Sequence, residues 1–175
     1  MKNLNTLLAG IFLAVALPFG ALVISSQVQL GSLGRAPAEE GGPLFPSREP
    51  GLAIQGRAVY VSLGCVSCHT QQVRPAGQGS DIARGYGVRP SVARDYAQQK
   101  QVLLGDRRIG PDLANFGARA KDLASVHAAI QHDGQFAFLY TGAKNDVASE
   151  RAIALAAYLQ SLRQDYSSPE AKLKQ

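Results

Sequence analysis

The sequence predicts an all-α protein: one N-terminal helix able to span a membrane, then a small helical domain on a connector. Three observations predict it. From Asn3 to Gly34 there is no charged residue. Residues 31–50 are crowded with proline and glycine. Beyond them, apolar residues recur at helical spacing near both ends of the remaining chain.

The first element is "TLLAGIFLAVALPFGALVIS", Thr6 to Ser25. About 20 residues at ~1.5 Å rise cover roughly 30 Å, the thickness of the hydrocarbon layer. Pro18 and Gly20 interrupt the run, and spanning helices tolerate such breakers. A cleaved signal peptide is the alternative, with "APA" at Ala36–Ala38 resembling a cleavage site. That tripeptide lies well past Ile24, and the run exceeds the ~7–15 apolar residues of a signal core. The reading is a retained single-pass anchor, residues 1–30, in the inner (cytoplasmic) membrane. Lys2 ahead of the span favours the N-terminus inside and the bulk of the chain on the exported, periplasmic side.

The stretch "GSLGRAPAEEGGPLFPSREP", residues 31–50, has the composition of a semi-extended linker. A new apolar pattern begins at Gly51, so the folded domain is expected over 51–165, with a frayed polar tail over 166–175. The net charge of +5 is unevenly placed, with nine Lys/Arg against four Asp between Arg74 and Lys121. Such a bias fits a solvated loop, or a surface facing anionic groups on a cofactor or partner. It also suits nucleic acid, but the anchor and the lack of any nucleic-acid-binding motif argue against that class.

Both cysteines of the chain fall in "GCVSCHT", residues 64–70. C-x-x-C-H is the attachment pattern of a c-type haem. Two thiols add across the porphyrin vinyl groups, and the short loop leaves the next imidazole under the iron. Cys65 and Cys68 are then the thioethers and His69 the axial ligand of one covalent haem. Covalent attachment outside the cytoplasm agrees with the anchor. Zinc is an alternative, because His127 and His132 could complete a Cys2His2 set. The gap from Cys68 to His127 is far longer than a small finger uses, and zinc leaves His69 without a role. A redox dithiol needs a βαβ setting that the pattern does not offer. Within the basic stretch, Arg108 is a candidate partner for a haem propionate.

The flanks add to the haem reading. Residues 51–64 carry Ala58, Val59, Val61 and Leu63 in a helix-length segment, with Gly56 placed for close approach of another backbone. "DVASERAIALAAYLQSLRQ" carries Ala152, Ile153, Ala156, Ala157, Leu159 and Leu162 at helical spacing. One helix before the motif and one at the chain end fit the two-helix crossing of class I cytochromes c. Between them, Gly110-Pro111 in "GPDL" forms a turn whose carbonyl could accept the Nδ1–H of His69.

From about Gly56 to Arg163 the chain resembles the membrane-anchored mono-haem cytochrome c subunit (subunit II) of C-family, cbb3-type haem–copper oxidases. Gly56 with the run "RAVYVSLGCVSCHTQQVRP" that follows it carries the resemblance, as do "ARGYGVRPSVARDYAQQKQVLLGDRRIGPDLANFGAR" and "LAAYLQSL". Gln71, Arg74, Pro75 and the run Arg107 to Leu113 make it more specific than the haem motif alone. The resemblance implies haem c on Cys65, Cys68 and His69, with the Pro111 carbonyl supporting His69. It implies electron transfer from a donor cytochrome c to the catalytic subunit of a respiratory complex. The other subunits and membrane lipid are further partners, no nucleic acid is expected, and no substrate bond is made or broken by the chain itself. An independent membrane-tethered electron shuttle, or a haem-based ligand-binding or sensor protein, are the alternatives. One departure stands out. The family closes its iron with a methionine shortly before the last helix, whereas the single Met here is Met1. The corresponding position falls near Phe136. His132 is the first candidate for the iron's other axial ligand, and His127 the second.

Overall fold

A computed structural model describes residues 2–31, 33–132 and 134–171. The chain divides into two compact units, Met1–Gly34 and Arg35–Gln175.

The first unit is a continuous helical rod. Helix α1 (Lys2–Pro18) passes through a π-helical turn (Phe19–Ile24) into α2 (Ser25–Leu30). Pro18 has no N–H to donate and its ring crowds the preceding turn, so a loosened register just beyond it is the expected response. Ser25 and Ser26 donate their hydroxyls to the carbonyls of Ala21 and Leu22 at 2.6 and 2.5 Å, using acceptors of that turn. Asn3–Gln29 is long and apolar enough to cross a bilayer: an 18-residue window within it has a mean hydropathy of 2.6, and none of that window is buried in protein.

The second unit is built on the crossing of α3 (Gly51–Ser62) and α6 (Glu150–Ser161). Ser149 caps α6, accepting from the Ala152 amide at 3.2 Å, and Glu150 sits at the favourable positive end of the helix. Gly56 is where the helices touch: a Cβ there would land on the Ala154 carbonyl. Tyr60 and Tyr158 meet beside this contact, ring centroids 5.4 Å apart.

The buried stripes differ in part from the sequence expectation. On α3 they are Ala53, Gly56 and Tyr60, while Ala58 is exposed and Val61 is 42% exposed. On α6 the stripe runs through Ala152, Leu155, Ala156 and Leu159, and Ile153 stays 43% exposed. The cause is geometric. Small side chains and tyrosines let the helices approach, so the contact face is chosen by close fit more than by apolar content.

Two shorter helices complete the core. Helix α4 (Phe116–Arg119) fits against α6 through Gly117, where a Cβ would strike the Gln160 carbonyl. Helix α5 (Leu123–Gln131) opens on a capping box in which the Ser125 amide donates to Asp122 at 2.7 Å and the Asp122 amide to the Ser125 hydroxyl at 3.2 Å. It buries Val126 and Ile130.

Residues 35–50 and the start of the tail are more ordered than their composition suggests. Strands β1 (Ala36–Pro37) and β2 (Leu44–Phe45) pair antiparallel, and Phe45 stacks on Tyr166 at 4.4 Å. Tyr166 and Ser168 are buried. A second small hairpin, β3 (Tyr140–Thr141) with β4 (Val147–Ala148), leads into α6.

Much of the positive charge of residues 74–121 is spent inside the domain. Arg89 and Asp95, 2% and 0% exposed, pair at 2.7 Å. Asp95 also accepts from the Val92 amide and the Tyr166 hydroxyl, at 2.8 and 2.5 Å, so the buried carboxylate is fully partnered. Arg94 forks onto Glu170. Arg74 and Arg108 grip the buried Asp81, each at 2.9 Å. The basic stretch therefore pins loops to one another, and its net charge overstates the free cations on the surface.

Two expectations follow. Gly56→Ala would stabilise an isolated helix by ~0.5–1 kcal/mol. Because its methyl meets backbone in this crossing, it should instead destabilise the domain by roughly 1–3 kcal/mol in denaturant unfolding. The second concerns acid. The Arg74 guanidinium, followed by its amide and Arg108, holds the Asp81 carboxyl down at about 2. Its folded value lies below its unfolded value of ~3.9. That stabilisation is therefore complete above pH ~4 and is lost as pH falls toward 2. The stability gap between wild type and Asp81→Asn should be constant above pH ~4 and close below it, as read by thermal unfolding across that range.

Candidate functional site

Just past α3 comes Gly64, whose φ of 71° lies in the left-handed region that glycine enters without strain. The chain then makes one 3-10 turn, Cys65–Ser67. The amides of Cys68 and His69 both donate to the Cys65 carbonyl, at 3.2 and 2.9 Å, winding the motif into a tight loop. Both cysteines are half-buried and form no disulfide. Burial pushes the Cys65 thiol up, so its proton stays on sulfur at neutral pH.

The segment after the motif is laced to residues 110–114. The Gly110 amide donates to the Cys68 carbonyl at 3.1 Å, and the Leu113 amide to the Thr70 carbonyl at 2.9 Å. The Gln72 amide donates to the Asp112 carboxylate at 2.9 Å, and the Ala114 amide donates to the same group. Among these bonds His69 Nδ1 stands 2.9 Å from the Pro111 carbonyl. A carbonyl only accepts, so Nδ1 carries the proton and Nε2 is left as the lone-pair nitrogen. Gly110 lies against the imidazole so closely that a Cβ would fall on the ring.

Three tyrosines brace this loop. Tyr60 donates to the His69 carbonyl at 3.0 Å, and Tyr96 to the Gln71 carbonyl at 2.7 Å. Tyr158 donates to the Gln71 side chain at 3.0 Å. Burial raises all three phenols, Tyr158 to about 12, so they remain protonated donors.

In front of the loop is a cavity of about 530 Å³, within the ~300–1,000 Å³ range of cofactor sites. Cys65, Cys68, His69 and Pro111 line one part of it, and Ala129, Ile130, His132, Gln135 and Phe136 another. Leu113, Phe116, Leu155 and Leu159 supply apolar lining. Two thiols, an imidazole with Nε2 available, a glycine cradle and apolar walls fit a haem in their donor set and surroundings. Bound there, it would supply one-electron chemistry at its iron.

The remaining expectations fare differently. His132 lines the cavity; His127 does not, and its Nδ1 pairs with the Tyr140 hydroxyl at 2.9 Å. Among the described residues no three His, Cys, Asp or Glu gather as a metal-holding group, which leaves the zinc alternative without support. Arg108 is not among the cavity-lining residues: its guanidinium donates to Asp81 and to the Gln72 carbonyl, at 2.9 and 3.1 Å. Asp112 and the three tyrosines were not singled out from the sequence for this site, and Gly110 was read only as part of the Gly-Pro turn.

The family model for the cytochrome c oxidase mono-haem subunit, FixO, matches residues 48–135, about half of the chain. No curated protein matches the sequence. The matched region holds the thiol pair, the imidazole and the turn that orients it, and the chain belongs to the FixO family of cytochrome c oxidase mono-haem subunits.

Proposed function

We propose that this oxidase subunit carries one covalent haem c on Cys65 and Cys68, with His69 Nε2 as axial donor. It would relay single electrons from a donor cytochrome c to the catalytic subunit. The observation that carries the reading is the 2.9 Å contact of His69 Nδ1 with the Pro111 carbonyl. That hydrogen bond selects the tautomer and orients the ring, leaving the other nitrogen as the donor. Each thiol would add its sulfur to one vinyl carbon and its hydrogen to the neighbouring carbon, with no oxidant needed. The apolar residues of the cavity would exclude water, and the tyrosine-braced loop would hold the donor atoms still.

The remaining assignments belong to the same reading. Residues 1–30 anchor the chain in the inner membrane, beside lipid and the other subunits of the complex. Residues 31–50 connect the anchor to a cytochrome c domain over 51–165, and 166–175 form its tail. The domain would stand on the periplasmic side, supported by Lys2 ahead of the span and by the location where c-type attachment occurs.

Haem-peroxidase staining of denaturing gels tests the assignment. A stained band at 18.5 kDa should stay in the pellet of carbonate-washed membranes, and Cys65→Ala with Cys68→Ala should erase it. A stained double variant would refute covalent attachment at these thiols, and a soluble stained band would refute the anchor.

A further inference from the structure

Iron in haem accepts axial donors from His, Cys, Met or Tyr. The only methionine is Met1, outside the unit that holds the cavity. Among the described residues lining the cavity, the donor types are Cys65, Cys68, His69, Tyr60 and His132. The thiols are committed to the vinyl carbons under the reading above. The Tyr60 hydroxyl bonds the His69 carbonyl, so Tyr60 lies beside the first ligand and not across the cavity from it. The elimination points to His132.

Its placement suits the role. His132 ends α5 in helical conformation, φ −48° and ψ −45°. It lies three residues after Ala129, on the same side of the helix, and both line the cavity. Gly134, at φ 67°, turns the chain there, its amide donating to the Gln131 carbonyl at 2.9 Å. Gln135 and Phe136 then return to the cavity. His127, more than one turn earlier, stays outside the cavity lining, against Tyr140.

Resting on the covalent-haem reading, we infer that His132 is the second axial ligand, so that the iron is held between two imidazoles, His69 and His132. A neutral imidazole is a stronger donor to ferric iron than a thioether, whereas methionine–histidine ligation raises the potential. The haem of this subunit would therefore sit at a lower potential than one closed by methionine, and its filled coordination would favour electron transfer over ligand capture.

The test is spectroscopic, on the full haem-loaded chain in detergent. The ferric protein should be low-spin, without a near-infrared sulfur-to-iron band. Pulsed electron paramagnetic resonance on protein labelled with 15N-histidine should count two coordinated imidazoles. His132→Ala should become high-spin and bind carbon monoxide when reduced, with added imidazole restoring the low-spin spectrum; His127→Phe should stay low-spin. A high-spin wild type, a single coordinated histidine, a sulfur band, or a His132→Ala chain that stays low-spin would each overturn the inference. In those cases covalent staining would persist, whereas failure of the haem reading itself would remove the stain.

Discussion

The hydrogen bond from His69 to the Pro111 carbonyl is the interaction on which the rest of this structure turns. It joins two residues far apart in sequence, and it is one bond of a seam that ties residues 68–72 to 110–114. An imidazole on a short loop would otherwise sample many orientations. Here its outer nitrogen has a fixed acceptor, its face is pressed by Gly110, and its backbone carbonyl is held by Tyr60. The cost of ordering the ring falls on folding, so little ordering remains for the moment a cofactor is bound.

The rest of the domain explains why that seam holds. The α3–α6 crossing at Gly56 places Tyr60 and Tyr158 side by side, and both reach the loop after the motif. The long segment between His69 and Pro111 is folded onto itself by Arg74, Arg108 and Asp81, and by the buried Arg89–Asp95 pair. Tyr166 then links that pair to Phe45 ahead of α3. For an oxidase subunit whose task is to pass electrons, this division is sensible: the polar network sits behind the loop, and the cavity in front is lined largely by apolar side chains.

The long apolar helix, the helical domain and the C-x-x-C-H loop were legible in the sequence, because each depends on a local pattern: charge-free length, helical period, or three residues at fixed spacing. The contact of His69 with the Pro111 carbonyl was legible too, from the position of the Gly-Pro turn after the motif. Other features depended on contacts across the fold. Ile153 looked like core, yet the close approach at Gly56 selects Ala152, Leu155 and Ala156 instead. The pairing of Arg108 with Asp81, 27 residues earlier, was not visible in the sequence. Residues 35–50 looked extended, but Phe45 finds a partner in the tail. Composition reports the needs of a segment and is silent about which distant side chain meets them.

Nitrogen-resolved NMR of His69 in the reduced, haem-loaded chain tests the central claim most directly, with Gly110→Ala as the comparison. A Cβ at residue 110 must displace the ring or the turn behind it. The wild type should show a proton on Nδ1 that exchanges slowly with solvent, and in Gly110→Ala that proton should exchange rapidly or vanish. A wild-type His69 without a proton on Nδ1, or one whose exchange is the same in both chains, would contradict the account.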